Sequence, residues 1–230
     1  MRTALEIVRN AAPRMGIDQP EVLFTSTDRQ EIEVRGILQD AAEYILQQND
    51  WSLLRTVNTD TGDGTTTAFA LPSDYHRMTK DARVWSSRWQ RPLIAITPED
   101  DLRLEVRDYD IVTGTWMIQG GNINYRPALT ATETAKWYYV SNAIIAPSSG
   151  ASKARFTADS DVFRLGDRLI ELHLIWMWRA HKKLDYGEEM QSAEIALADA
   201  IGRDGGARIL TQASRQNFRA DTAYPLVVET

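Results

Sequence analysis

The triplet Asp60-Thr61-Gly62 is the most catalytic-looking feature of this chain. Aspartic proteases use Asp-Thr-Gly because the glycine permits a tight loop and two such loops share one proton between facing carboxylates. The surrounding residues argue against that chemistry. Val57-Asn58-Thr59 is too polar for the apolar strand that must carry the loop, and Asp63 stands where a small residue belongs. A single copy would also need a homodimer to supply the second carboxylate. Asn58 to Gly64 reads more simply as a hairpin turn. The histidines are His76, His173 and His181, none in an HExxH arrangement. The expectation is one packed and one solvated helix histidine at 173 and 181, and no metal. Cysteine is absent, which excludes disulfides, thiolate zinc sites, iron–sulfur clusters and cysteine nucleophiles. Gly62-x-Gly64 and Gly120-Gly121 are too short for a dinucleotide or phosphate-loop fingerprint. Ser73, Ser86 and Ser87 lack a nucleophile elbow. The reading is a chain with no catalytic residue and no cofactor; a hydrolase using Asp60 is the remaining catalytic alternative.

Two other groups of residues point to contact rather than turnover. Trp176 and Trp178 stand two apart in a helical pattern, so one faces the core and the other must face another element or another subunit. Near the C-terminus, Arg203, Arg208, Arg215 and Arg219 stand against a single acid, Asp204. They precede Tyr224-Pro225-Leu226-Val227-Val228, where Pro225 and the β-branched pair favour extended backbone. Residues 211–230 read either as a solvated tail or as an arm that orders on a partner. In the second case Arg215 and Arg219 pair with an acidic surface, and Tyr224, Leu226 and Val228 fill pockets.

The elements that position these residues follow from periodicity. Leu5, Val8, Ala12 and Met15 share a helical face over 3–15, ending at Gly16. Thr27 and Gln30 have capping-box spacing before a helix over 28–48, with Val34, Leu38, Ala41 and Ile45 on one face. Gly36 weakens that helix by about 1 kcal/mol against alanine, or lets a neighbouring helix approach. From 51 to 164 strand signals dominate: Thr65–Leu71, Asp81–Trp85, Leu93–Thr97, a hairpin of 116–119 and 122–125 turning at Gly120-Gly121, and Ala135–Ser141. Thr97 and Pro98 open a short helix over 98–108. Ser148 to Ser152 reads as a surface loop. A long helical segment runs from near 167 to about 202, apolar nearly all round over 169–178 and bent or interrupted at Asp185-Tyr186-Gly187.

These elements divide the chain into a helical hub (1–50 and 165–210), a β-rich insertion (51–164) and an extended C-terminal arm (211–230). The fold class is α+β, a helical bundle hub bearing that insertion. The 230 residues are 43% hydrophobic and 25% charged, which excludes disorder as the dominant state. The net charge of -6 gives no overall basic surface for nucleic acid. The longest strongly apolar run, Leu172 to Trp178, is far short of the roughly 20 residues that span a bilayer. Glu6 and Arg9 interrupt any signal-peptide core. A soluble, unsecreted protein without membrane contact is expected.

The stretch Phe163-Arg164-Leu165-Gly166-Asp167-Arg168-Leu169-Ile170 through Trp176-Met177-Trp178-Arg179-Ala180 resembles bacteriophage head-to-tail adaptor (connector) proteins. So do Leu184-Asp185-Tyr186-Gly187-Glu188-Glu189 and Asp204-Gly205-Gly206. Asp50-Trp51-Ser52-Leu53-Leu54 and Phe69-Ala70-Leu71-Pro72-Ser73-Asp74-Tyr75 are similar to the same group. The resemblance covers most of 28–206, through structural motifs. It implies a non-enzymatic virion protein forming a homo-oligomeric ring, a dodecamer matching the portal protein. The ring would sit in the neck between capsid and tail and be assembled in the host cytoplasm. Its C-terminal arm would bind the portal, a tail or stopper protein would bind the opposite face, and DNA would pass the lumen without specific binding. Another neck or tail-tube subunit is the alternative structural reading.

Overall fold

The computed structural model describes residues 1–107 and 114–205. In chain order it contains α1 (Ala4–Met15), α2 (Arg29–Gln48), β1 (Arg55–Thr61), β2 (Ala68–Ala70), β3 (Tyr75–Met78), β4 (Trp85–Ser86), β5 (Arg91–Pro92), β6 (Ile94–Ala95) and α3 (Pro98–Arg107). There follow β7 (Thr115–Gln119), β8 (Asn122–Arg126), β9 (Thr134–Ser141), β10 (Ile145–Ala146), β11 (Val162–Phe163), α4 (Asp167–His181) and α5 (Gly187–Asp204). The fold is α+β. The arm expected at 211–230, with Arg215, Arg219, Tyr224, Leu226 and Val228, lies outside the described residues, as does position 108 of the third expected helix.

The described residues form two compact units, one taking Met1–Asn58, Pro72–Ala82 and 138–205, the other Thr59–Leu71 and Arg83–Trp137. The helical unit thus takes in residues 51–58, 72–82 and 138–164, which periodicity places in the insertion. The reason is apolar: Val140, Ile144, Ile145, Phe156 and Phe163 are buried in the same core as Ile7, Leu38, Ile45 and Ile175.

In that unit α4 is the central helix, packed against α1, α2 and α5. Its all-round apolarity is what such a position demands: Leu169, Ile170, Leu172, His173, Leu174, Ile175 and Trp178 are all buried. In the helices packed on it, the small residues Ala4, Ala11, Ala41 and Ala42 are fully buried, which lets the helices pack closely. Of the bend or interruption expected at Asp185-Tyr186-Gly187, the structure has the interruption: α4 and α5 are two helices. Lys183 takes a positive φ of 57°. Leu184 N donates to Arg179 O at 2.9 Å, and the Arg179 guanidinium donates to Asp185 O at 2.6 Å. These bonds satisfy the end of α4, and α5 folds back along it. The far end of α5 is tied by Asp204, whose carboxylate accepts from Ser52 N at 2.9 Å, Ser52 Oγ at 2.6 Å and Asn49 Nδ2 at 3.1 Å.

Helix starts differ from the spacing signals in one respect. The Thr27–Gln30 box does not form: Asp28 is the N-cap of α2 and makes no side-chain capping bond, so the third helical residue is Glu31 rather than Gln30. The reciprocal box sits on α1, where Thr3 Oγ1 accepts from Glu6 N at 3.3 Å and Thr3 N donates to Glu6 Oε2 at 2.8 Å. Those bonds hold the Glu6 carboxyl below its usual range. Gly16 ends α1 in the left-handed region, φ 72°. Gly36 faces open space, with nothing near an added Cβ, so no helix approaches there.

The second unit holds a four-stranded sheet in the order β2-β8-β7-β6. β7 and β8 form the expected hairpin, with Gly120 and Gly121 both at positive φ (61° and 79°). β6 pairs parallel to β7, and α3 lies in the connection between them. Thr97 caps α3, its hydroxyl accepting from Asp100 N at 3.2 Å. Three of the expected strands, 65–71, 81–85 and 93–97, are shorter than their sequence signals. Asp63 holds Thr65 and Thr66 in a turn, Asp81 has φ 61° and Thr97 is a cap. A second sheet joins β1, β9, β4 and β5 in that order, and β3 pairs with β9. The half of β9 beyond Tyr138 pairs with β3, and its Ala135–Lys136 part pairs with β4.

Candidate functional site

Asp60 is held inside the second unit by β1. It is 7% exposed. Its Oδ2 accepts from the Tyr125 hydroxyl on β8 at 2.7 Å and from Trp137 Nε1 on β9 at 2.9 Å. Tyr125 and Trp137 are themselves fully buried. Burial, together with the facing carboxylate, pushes the Tyr125 phenol far above its ordinary range, so it serves only as a donor. The next residues complete a turn. A Cβ at Gly62 would lie 2.4 Å from Thr130 O and 2.5 Å from Leu129 O, which only glycine avoids. Asp63 accepts from Thr65 N, Thr66 N and Thr66 Oγ1 at 2.8, 2.7 and 2.6 Å, and these bonds hold its carboxyl far below the carboxylate range. The Asp-Thr-Gly triplet is therefore a strand end and turn, with Asp60 joining three strands through one carboxylate.

The histidines occupy unrelated positions. His173 is fully buried on α4, its Nδ1 2.8 Å from Leu169 O, and burial depresses its pKa. His181 is exposed, and His76 on β3 is half-buried. No group of three or more metal-capable side chains occurs among the described residues.

The two tryptophans of α4 part company. Trp178 is 1% exposed and donates from Nε1 to Met15 O at 3.2 Å, with Lys182 Nζ 4.6 Å from its ring centre. Trp176 is half-buried and faces other elements of the same unit: Tyr44 of α2 at 6.3 Å and Tyr186, just before α5, at 6.4 Å between ring centres. His173 lies beside both Tyr44 and Trp176. Tyr44 donates to Glu194 of α5 at 2.9 Å. This aromatic group joins α2, α4 and α5. Sequence spacing shows that the two indoles diverge; it does not show that Trp176 meets Tyr44, 132 positions earlier in chain order.

Surface features complete the inventory. On α5 only Ala193 and Leu197 are buried, while Met190 and Ile195 are 41% and 57% exposed. A groove of 680 Å³ beside it is lined by Arg2, Asp167, Arg168, Leu169, Ile195 and Asp199. No helix among the described residues is long and apolar enough to cross a membrane.

The geometry presents faces for contact and engages its most reactive-looking carboxylate structurally. Comparison with known proteins gives the same direction. The family model described as SU10 adaptor protein matches residues 2–224, and no curated protein matches the chain.

Proposed function

The chain belongs to the SU10 adaptor protein family, a family of structural bacteriophage proteins found in the virion, and we propose that it is a ring-forming head-to-tail adaptor. In this reading copies of the chain close into a ring, a dodecamer matched to the portal protein, in the neck between capsid and tail. The C-terminal arm, 211–230, docks on the portal through Arg215, Arg219, Tyr224, Leu226 and Val228. The opposite face receives a tail or stopper protein. DNA passes through the lumen without reading of its sequence, and assembly takes place in the host cytoplasm.

The observation that carries the reading is the family match across 2–224, which embraces both compact units and reaches into the arm. The exposed Met190 and Ile195 of α5 support contact between copies. The test is sedimentation of the purified chain, alone and with portal. A ring, alone or on portal addition, is the expected result; a chain that stays monomeric with portal present overturns it.

A further inference from the structure

The hairpin of β4 and β5 carries positive charge that the described chain does not neutralise. Residues 83–92 contain Arg83, Arg88 and Arg91 and no acid. Lys136 on β9 is the cross-strand partner of Trp85. All four cations are exposed, and among the described residues none of them forms an ion pair with a carboxylate.

Two of these charges converge on one ring. The Arg88 and Arg91 guanidinium carbons stand 4.7 and 5.6 Å from the centre of the Trp89 indole. That indole rests on Gly114, where a Cβ would come within 3.2 Å of its Nε1. Trp85, 44% exposed, adds a flat apolar surface to the same hairpin. The backbone beneath is fixed. Ser86 Oγ donates to the buried Glu133 carboxylate and accepts from Arg88 N and Trp89 N at 3.2 and 3.3 Å. Gln90 N donates to Ser86 O at 3.0 Å, and Thr134 N donates to Ser87 Oγ at 2.9 Å. Two like charges on one indole repel each other, and a polyanion beside them relieves that repulsion. The rigid turn means that little ordering entropy is lost when it binds.

We propose that this hairpin, with Lys136, is a contact surface for the phosphodiester backbone of DNA. Guanidinium forks match phosphate oxygens in pairs. Duplex DNA carries a charge about every 1.7 Å along its axis, so several cations are satisfied at once. The contact reads no bases. The inference goes beyond the ring reading by assigning a ligand to a surface, and it is tested on the purified full chain without portal.

The experiment is fluorescence anisotropy of a labelled random-sequence duplex titrated with the chain at about 50 and about 200 mM salt. The wild type is expected to bind at low salt and to weaken steeply with added salt. The triple variant Arg88→Ala, Arg91→Ala, Lys136→Ala should bind about tenfold more weakly or worse, with a salt slope shallower by about 2 to 3, and should melt like the wild type. The double variant Arg88→Lys, Arg91→Lys should keep most of the slope. Absence of wild-type binding, or equal binding by the triple variant, overturns the proposal. So does poly-glutamate binding as tightly as DNA with the same loss in the variant, because the partner would then be an acidic protein surface. A chain that sediments as a ring but ignores DNA sinks this inference alone; a persistent monomer that binds DNA sinks the ring reading alone.

Discussion

Asp60 shows how a residue type can mislead when its neighbours in space are unknown. Its carboxylate accepts from two buried donors, Tyr125 and Trp137. Asp60→Ala strands both, so a loss of about 2–4 kcal/mol is expected, since each buried unsatisfied group costs about 1–3 kcal/mol. Urea denaturation measures it, and an unchanged midpoint would refute the structural role. The tryptophans differ in the same way. Trp178→Ala should cost about 3–5 kcal/mol, the range for a buried large aromatic, and Trp176→Ala clearly less; thermal melts that rank them in the opposite order would contradict the packing. His173 gives a pH signature. Burial holds its folded-state pKa below the unfolded value of about 6.5. As pH falls through 6.5 the unfolded chain binds the proton first, so stability is full above that value and declines below it, by at most about 1.4 kcal/mol per pH unit. His76 shifts in the same direction, so His173→Gln isolates the term. The variant should lose less stability between pH 7.5 and 5.5 than the wild type; parallel losses would remove His173 from the account.

At the level of elements, local signals are legible where local physics decides. α1, α2, α3 and the β7–β8 hairpin stand near their expected positions because caps, apolar period and a Gly-Gly turn act within a few residues. The all-round apolarity of 169–178 marks the buried α4 for the same reason. The break between α4 and α5 is harder to read: Asp185-Tyr186-Gly187 marks an interruption, but full reversal depends on Lys183 at positive φ and on Arg179 reaching Asp185 O. Strands β10 and β11, two residues each, depend on pairing with each other rather than on pattern. The Arg88–Trp89–Arg91 surface is hidden by composition, because a whole-chain charge of -6 averages over a local excess of arginine. Thr3 provides a test at this scale. Thr3→Ala removes one half of the α1 capping box and should cost about 1 kcal/mol; a melting temperature unmoved by the change would show that the α1 start is held by its other contacts.

For the molecule as a whole, the proposed docking of 211–230 on the portal makes a separable prediction. Deleting 211–230 should leave circular dichroism and melting temperature unchanged while abolishing portal capture in a pull-down. Retained capture would place portal binding elsewhere on the chain.

The central position of α4 also bears on synthesis. Helices α1 and α2 are complete by Gln48, but the helix that covers their apolar sides begins at Asp167. At translation rates of about 5–20 residues per second, the nascent chain holds an unfinished hydrophobic surface for roughly 6–24 s after the first two helices leave the ribosome. During that interval it is open to chaperone capture and to clumping with neighbouring polypeptides, and release from both comes only when α4 has emerged.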